Sequence, residues 1–143
     1  MRNYFRAALT LIIAASPAAA QTPAAVRPAG IDSMALARKW TKWFYDGSVD
    51  SLVAAHEAGA RTPELKQSLE RNYLQLTSIG GAEVGVVEEK FVKRNGNTQY
   101  WRTANFTEFK AEPLMLRWAV NKNWEIIGIG LNPASQAPPI DKP

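Results

Sequence analysis

The chain contains no cysteine and only one histidine, His56. Without thiols there can be no structural disulfide, thiolate metal site, thiol nucleophile or lipidated cysteine. One imidazole cannot build a multi-histidine zinc site. No Asp-x-Asp-x-Asp-Gly run offers calcium an oxygen cage. No metal and no cofactor is therefore expected. Excess charge is also scarce. Lys and Arg number 17 against 13 acids, and setting aside Arg2 and Arg6 at the extreme N-terminus leaves 15 against 13, a net charge of +2. With no basic run beyond those two, the electrostatic footprint of a nucleic-acid binder is missing. No apolar run approaches the ~20 residues needed to cross a bilayer.

The first twenty residues do carry a pattern. Arg2 and Arg6 make a short positive region, Ala7 to Ala15 is apolar or small except for Thr10, and Ala18-Ala19-Ala20 precedes Gln21. Positive flank, short apolar stretch and small residues at a cleavage point predict a secretory signal peptide over 1–20. Pro17 and Gln21 end the run too early for a membrane anchor, so no stable membrane insertion is expected after cleavage. Export to the periplasm or the medium follows. Residues 21–30, with Pro23, Pro28 and several alanines, predict a flexible leader. The 123 residues after position 20 suffice for one domain, expected over 31–133, and the proline-rich 134–143 reads as a disordered tail.

Helical periodicity comes first. Asp32 or Ser33 is a candidate N-cap ahead of Met34, Ala37, Trp40, Trp43 and Phe44, and Gly47 stops that helix. Ser48 opens a second helix, with Val49, Leu52, Val53 and His56 on one face. Thr62-Pro63 opens a third, striped by Leu65, Leu69, Tyr73 and Leu76. After Gly80-Gly81 the pattern becomes that of strands: Val84 to Lys93, Thr98 to Lys110, Leu114 to Val120 and Trp124 to Leu131. Asn95-Gly96 is the strongest turn signal, because a type I′ turn needs positive φ at both central residues. Further turns are expected at Glu112-Pro113 and around Lys122-Asn123.

A two-residue turn at Asn95-Gly96 sets Glu89 opposite Arg102, and one at Glu112-Pro113 sets Glu108 opposite Arg117. Those charge pairs, with Tyr100 and Met115, suit a solvated face. The buried face is then Val84, Val86, Val92, Trp101, Phe109, Leu114, Leu116, Trp118 and Val120, joined by Ile127, Ile129 and Leu131, with Ile126 outward. The fold class is α+β: three N-terminal helices packed on a curved four-stranded antiparallel meander.

Three helices, the Asn95-Gly96 hairpin and a closing Trp124-Glu125-Ile126-Ile127-Gly128 resemble the small exported domains of the nuclear transport factor two-like superfamily, a cystatin-like cone. The resemblance spans about Ile31 to Pro133 and implies the fold; the superfamily includes isomerases, dehydratases, binding modules and accessory domains. Its isomerase chemistry requires a carboxylate base and an acidic donor in an apolar cavity. The candidates for that chemistry are Glu88 as base and Tyr45 or Tyr73 as donor, while His56 is a separate candidate base.

Nothing forms a complete catalytic constellation. The leading expectation is an exported non-catalytic binding or accessory domain, with a small apolar or amphipathic ligand or a protein partner in the helix-sheet cavity, lined by Trp101, Thr103, Asn105, Thr107, Phe109 and Trp118. The alternatives are a small lyase or isomerase using Glu88, and a module that associates through its sheet. The charged outward face argues against the last.

Overall fold

The computed structural model describes residues 32–143; the segments assigned to the signal peptide and to the leader lie outside the described residues. Helix α1, Ser33–Tyr45, starts where the Asp32 carboxylate accepts hydrogen bonds from the amides of Met34 and Ala35, both at 3.0 Å. It ends at Asp46 and Gly47, whose φ of +71° a side-chain-bearing residue would resist. Its buried stripe is Ala37, Trp40, Thr41 and Phe44. Helix α2 is Val49–Ala55. Helix α3, Pro63–Ile79, is capped by Thr62 Oγ1, which accepts from the Leu65 amide at 3.2 Å.

The sheet runs in the order β1 (Glu83–Arg94), β2 (Asn97–Phe106), β3 (Leu114–Val120), β4 (Ile126–Pro133), antiparallel throughout. The α+β class and the helices-then-meander architecture are as the sequence predicts. Asn95 and Gly96 form the first turn with φ of 52° and 75°. The helices cover one face of the sheet. Trp118 is fully buried there, edge-on to Trp40 and Phe44, and its indole N–H donates to Thr41 Oγ1 at 3.0 Å. Tyr100, Leu52, Leu69, Leu116 and Ile126 fill the rest of this core.

Which side of β1 and β2 faces the helices is the reverse of the expectation. Tyr100, not Trp101, pairs with Trp118, so Tyr100, Arg102 and Ala104 point inward while Trp101, Thr103 and Asn105 lie on the outer face. The cause is the second connection. Strand β2 ends at Phe106, because the amides of Thr107 and Glu108 bond to the carbonyls of Ala82 and Gly80, and the chain returns only at Leu114. This long loop replaces the two-residue turn at Glu112-Pro113, so Glu108 never meets Arg117, and Arg117 pairs with Trp101. Val84 is exposed, and Val92 lies opposite Gln99 on the outer face.

The third turn differs as well. Asn121 Oδ1 accepts from the amides of Asn123 and Glu125, Trp124 takes a φ of +60°, and Val120 pairs with Ile126. A register shift between Ala119 and Val120 sets Ile127 into the irregularity. Ile126 is 0% exposed rather than outward, while Ile129 and Leu131 are buried as expected.

Residues 134–143, read from sequence as a disordered tail, cross the outer face of the sheet. Asn132 Nδ2 donates to the carbonyl of Gln136 at 3.0 Å beside β4, and Arg94 Nε donates to that of Pro139 at 3.1 Å beside β1. Asp141 then accepts from both turn amides, Asn95 at 2.8 Å and Gly96 at 2.9 Å. On this side Gln99, Trp101, Thr103 and Met115 are buried.

Candidate functional site

Reversing β1 and β2 brings the charges predicted for solvent underneath α1. Arg102 projects inward from β2 between two carboxylates of β1. Its Nη2 meets Glu83 Oε1 and its Nη1 meets Glu89 Oε1, both at 2.5 Å. Arg38 on α1 closes the other side, with Nη2 at 2.6 Å from Glu89 Oε2. Tyr45 donates to Glu83 Oε2 at 2.7 Å, and the Tyr100 hydroxyl donates to Glu89. Around this network, Arg38, Thr41, Lys42, Tyr45, Asp46 and Val86 complete an open cleft of about 450 Å³.

The network fixes its protonation states. Hydrogen bonding from Arg38, then from Tyr100, together with the nearby positive charges, outweighs burial and holds Glu89 down at about 2. Burial alone would raise Glu83, but the hydrogen bonds from Arg102 and Tyr45 more than offset it and its pKa is lowered. Burial, reinforced by Glu89, pushes the Tyr100 phenol up to about 12, and burial with the bond to Glu83 raises Tyr45. At neutral pH the carboxylates are ionised, the phenols protonated and the guanidiniums charged. None of these shifts moves a group toward neutrality, where a general acid or base works best.

The residues singled out from sequence do not assemble. Tyr45 is in the cleft. Glu88 is exposed on the outer face and paired with Lys90 at 2.8 Å. Tyr73 packs by Gly47, where an added Cβ would lie 3.0 Å from its ring. His56 is buried where α2 meets β4, its Nδ1–H donating to the Leu52 carbonyl at 2.7 Å, and burial lowers its pKa. Trp118 is core. Trp101, Thr103 and Asn105 are on the opposite side of the sheet; Thr107 Oγ1 accepts from the Ala82 amide, and Phe109 is half-buried in the following loop. The charged cleft residues missed were Arg38, Lys42, Asp46, Glu83, Glu89 and Arg102, although the Glu89–Arg102 pairing itself is visible in the turn register.

Among the described residues no group of three His, Cys, Asp or Glu side chains could hold a metal ion, and no helix is long and apolar enough to cross a membrane. No family model matches the chain, and no curated protein or solved structure matches it, so the cleft is interpreted from its own chemistry.

Proposed function

We propose that this chain is an exported, non-catalytic binding domain of the nuclear transport factor two-like kind, and that the cleft under α1 takes a small amphipathic acid. One observation carries the reading: the charges on the cleft floor are largely buried, paired with one another and locked in fixed protonation states, whereas the two cations at its mouth, though paired with Glu89 and Asp46, stay open to solvent. Arg38 is 57% and Lys42 72% exposed. A floor of that kind offers shape and hydrogen-bonding surface rather than a proton to transfer. In the cleft wall Val86 is 46% exposed, an apolar surface for the ligand's hydrocarbon part. The acid head lies toward Arg38 and Lys42. Export is supported by the pattern of the first twenty residues.

The test is a thermal-shift screen of the full chain against fatty acids, aromatic acids and sterols. Stabilisation by an acid, lost in the double variant Arg38→Ala/Lys42→Ala and in Val86→Asp, is the expected result. Stabilisation by none of the acids, or an undiminished response in both variants, would remove the cleft from consideration.

A further inference from the structure

On the far side of the sheet, Lys90, Trp101, Arg117 and Gly130 form one row across all four strands. Arg117 stands out in that row. Its Nε is buried without a hydrogen-bond partner, and among the described residues no carboxylate pairs with it. Its guanidinium lies against the backbone of Gly130, where an added Cβ would come within 2.7 Å of Cζ and 2.9 Å of Nε.

The acids nearby are committed elsewhere. Glu88 holds Lys90, Glu112 accepts from Ser135, and Asp141 accepts from the turn amides. A second cation, Arg94, lies on the same face, held by its bond to the Pro139 carbonyl, and its charge lowers the pKa of Arg117. Two residues along β4 from Gly130, Asn132 Oδ1 is a buried acceptor, also without a partner. A half-buried guanidinium whose buried Nε lacks a partner, on a face that carries a second cation, is costly, and a planar fork of donors is the usual receptor for a carboxylate or phosphate group.

We propose that Arg117, with Arg94 further along the same face, anchors a second ligand site on the outer face of the sheet, along the C-terminal segment, that takes the carboxylate or phosphate group of a small molecule. Asn132 Oδ1 accepts from a hydroxyl on the same ligand. Burial and the charge of Arg94 both lower the pKa of Arg117, and a bound anion relieves both. This site is separated from the cleft by the thickness of the sheet, so the two stand or fall independently.

The experiment follows the thermal midpoint of the full chain in millimolar inorganic phosphate or acetate, with chloride keeping ionic strength constant. The wild type is expected to be stabilised by one of them. A stronger response to phosphate assigns a phosphate-bearing ligand, a stronger response to acetate a carboxylate. Arg117→Met should abolish the response, and Arg117→Lys, which keeps the charge but loses the fork, should weaken the apparent affinity about tenfold. Lys122→Met, which removes an exposed cation in the β3–β4 turn outside both sites, should respond like wild type. No anion-dependent shift in the wild type, or an undiminished shift in Arg117→Met and Arg117→Lys, would overturn the proposal. Loss of the response in Arg38→Met with retention in Arg117→Met would reassign the anion to the cleft and equally overturn it.

Discussion

Arg102 holds the cleft floor together because its guanidinium reaches both Glu83 and Glu89. Arg102→Met leaves two ionised carboxylates facing each other under α1 and should cost about 3 kcal/mol, the range seen when one partner of a largely buried ion pair is removed. Adding Glu83→Gln to that variant should recover part of the loss, a non-additivity that urea denaturation of the single and double variants would detect. Acid sensitivity falls in two windows, the lower dominated by Glu89 and the upper set by His56. Glu89 titrates near 2 when folded against 4.5 ordinarily, so its stabilisation is complete above about 4.5 and is lost as the pH falls from there toward 2. His56 is lowered by burial, so the unfolded chain takes up its proton first and stability begins to fall as the pH drops below about 6.5. Denaturation midpoints against pH should show both steps. Glu89→Gln should shrink the lower one, to which the lowered Glu83 and Asp141 also contribute, and His56→Gln should remove the upper one.

At the scale of elements, the closing strand carries the sharpest contrast. Ile126 is 0% and Ile129 8% exposed, while Ile127 sits at the irregularity in the β3–β4 register. Ile126→Asp and Ile129→Asp each bury an unpaired carboxylate and should cost more than about 4 kcal/mol, enough to unfold a domain of ordinary stability. Ile127→Asp should be tolerated much better. Soluble yield and the denaturation midpoint of the three variants check this, and an unstable Ile127→Asp beside a stable Ile126→Asp would restore the simple alternation that the third turn breaks. The same strand also meets α2 directly: Glu57 N donates to the Ile126 carbonyl at 3.1 Å, which occupies part of the β4 edge.

At the scale of the whole molecule, the C-terminal segment takes the place of a second layer on the outer face. Removal of residues 134–143 should bare Trp101 and Met115, each 5% exposed in the intact chain, and lower stability by about 2 kcal/mol. Asp141→Ala should speed amide exchange at Asn95 and Gly96, whose N–H groups its carboxylate accepts, without disturbing α1 or the cleft. Both effects are read by hydrogen exchange on the intact and altered chains, and unchanged protection at the turn in both would show that the segment contributes nothing to that face.

The sequence by itself determined the order and kind of the elements. Helix starts at Asp32 and Thr62-Pro63, the stop at Gly47 and the Asn95-Gly96 turn are chosen by local chemistry within a few residues, and all four are where the structure has them. The Glu89–Arg102 pairing was legible too, since a two-residue turn dictates it. Only the tertiary structure decided which face of β1 and β2 those residues occupy. That choice depends on the length of the Thr107–Pro113 connection, and on the bonds from Thr107 and Glu108 back to Ala82 and Gly80, which lie more than twenty residues earlier in the chain. A side-chain period of two turns one residue of difference there into a complete exchange of faces. It sends Trp101 beneath the C-terminal segment, and sends Arg102, Glu89 and Tyr100 into the cleft.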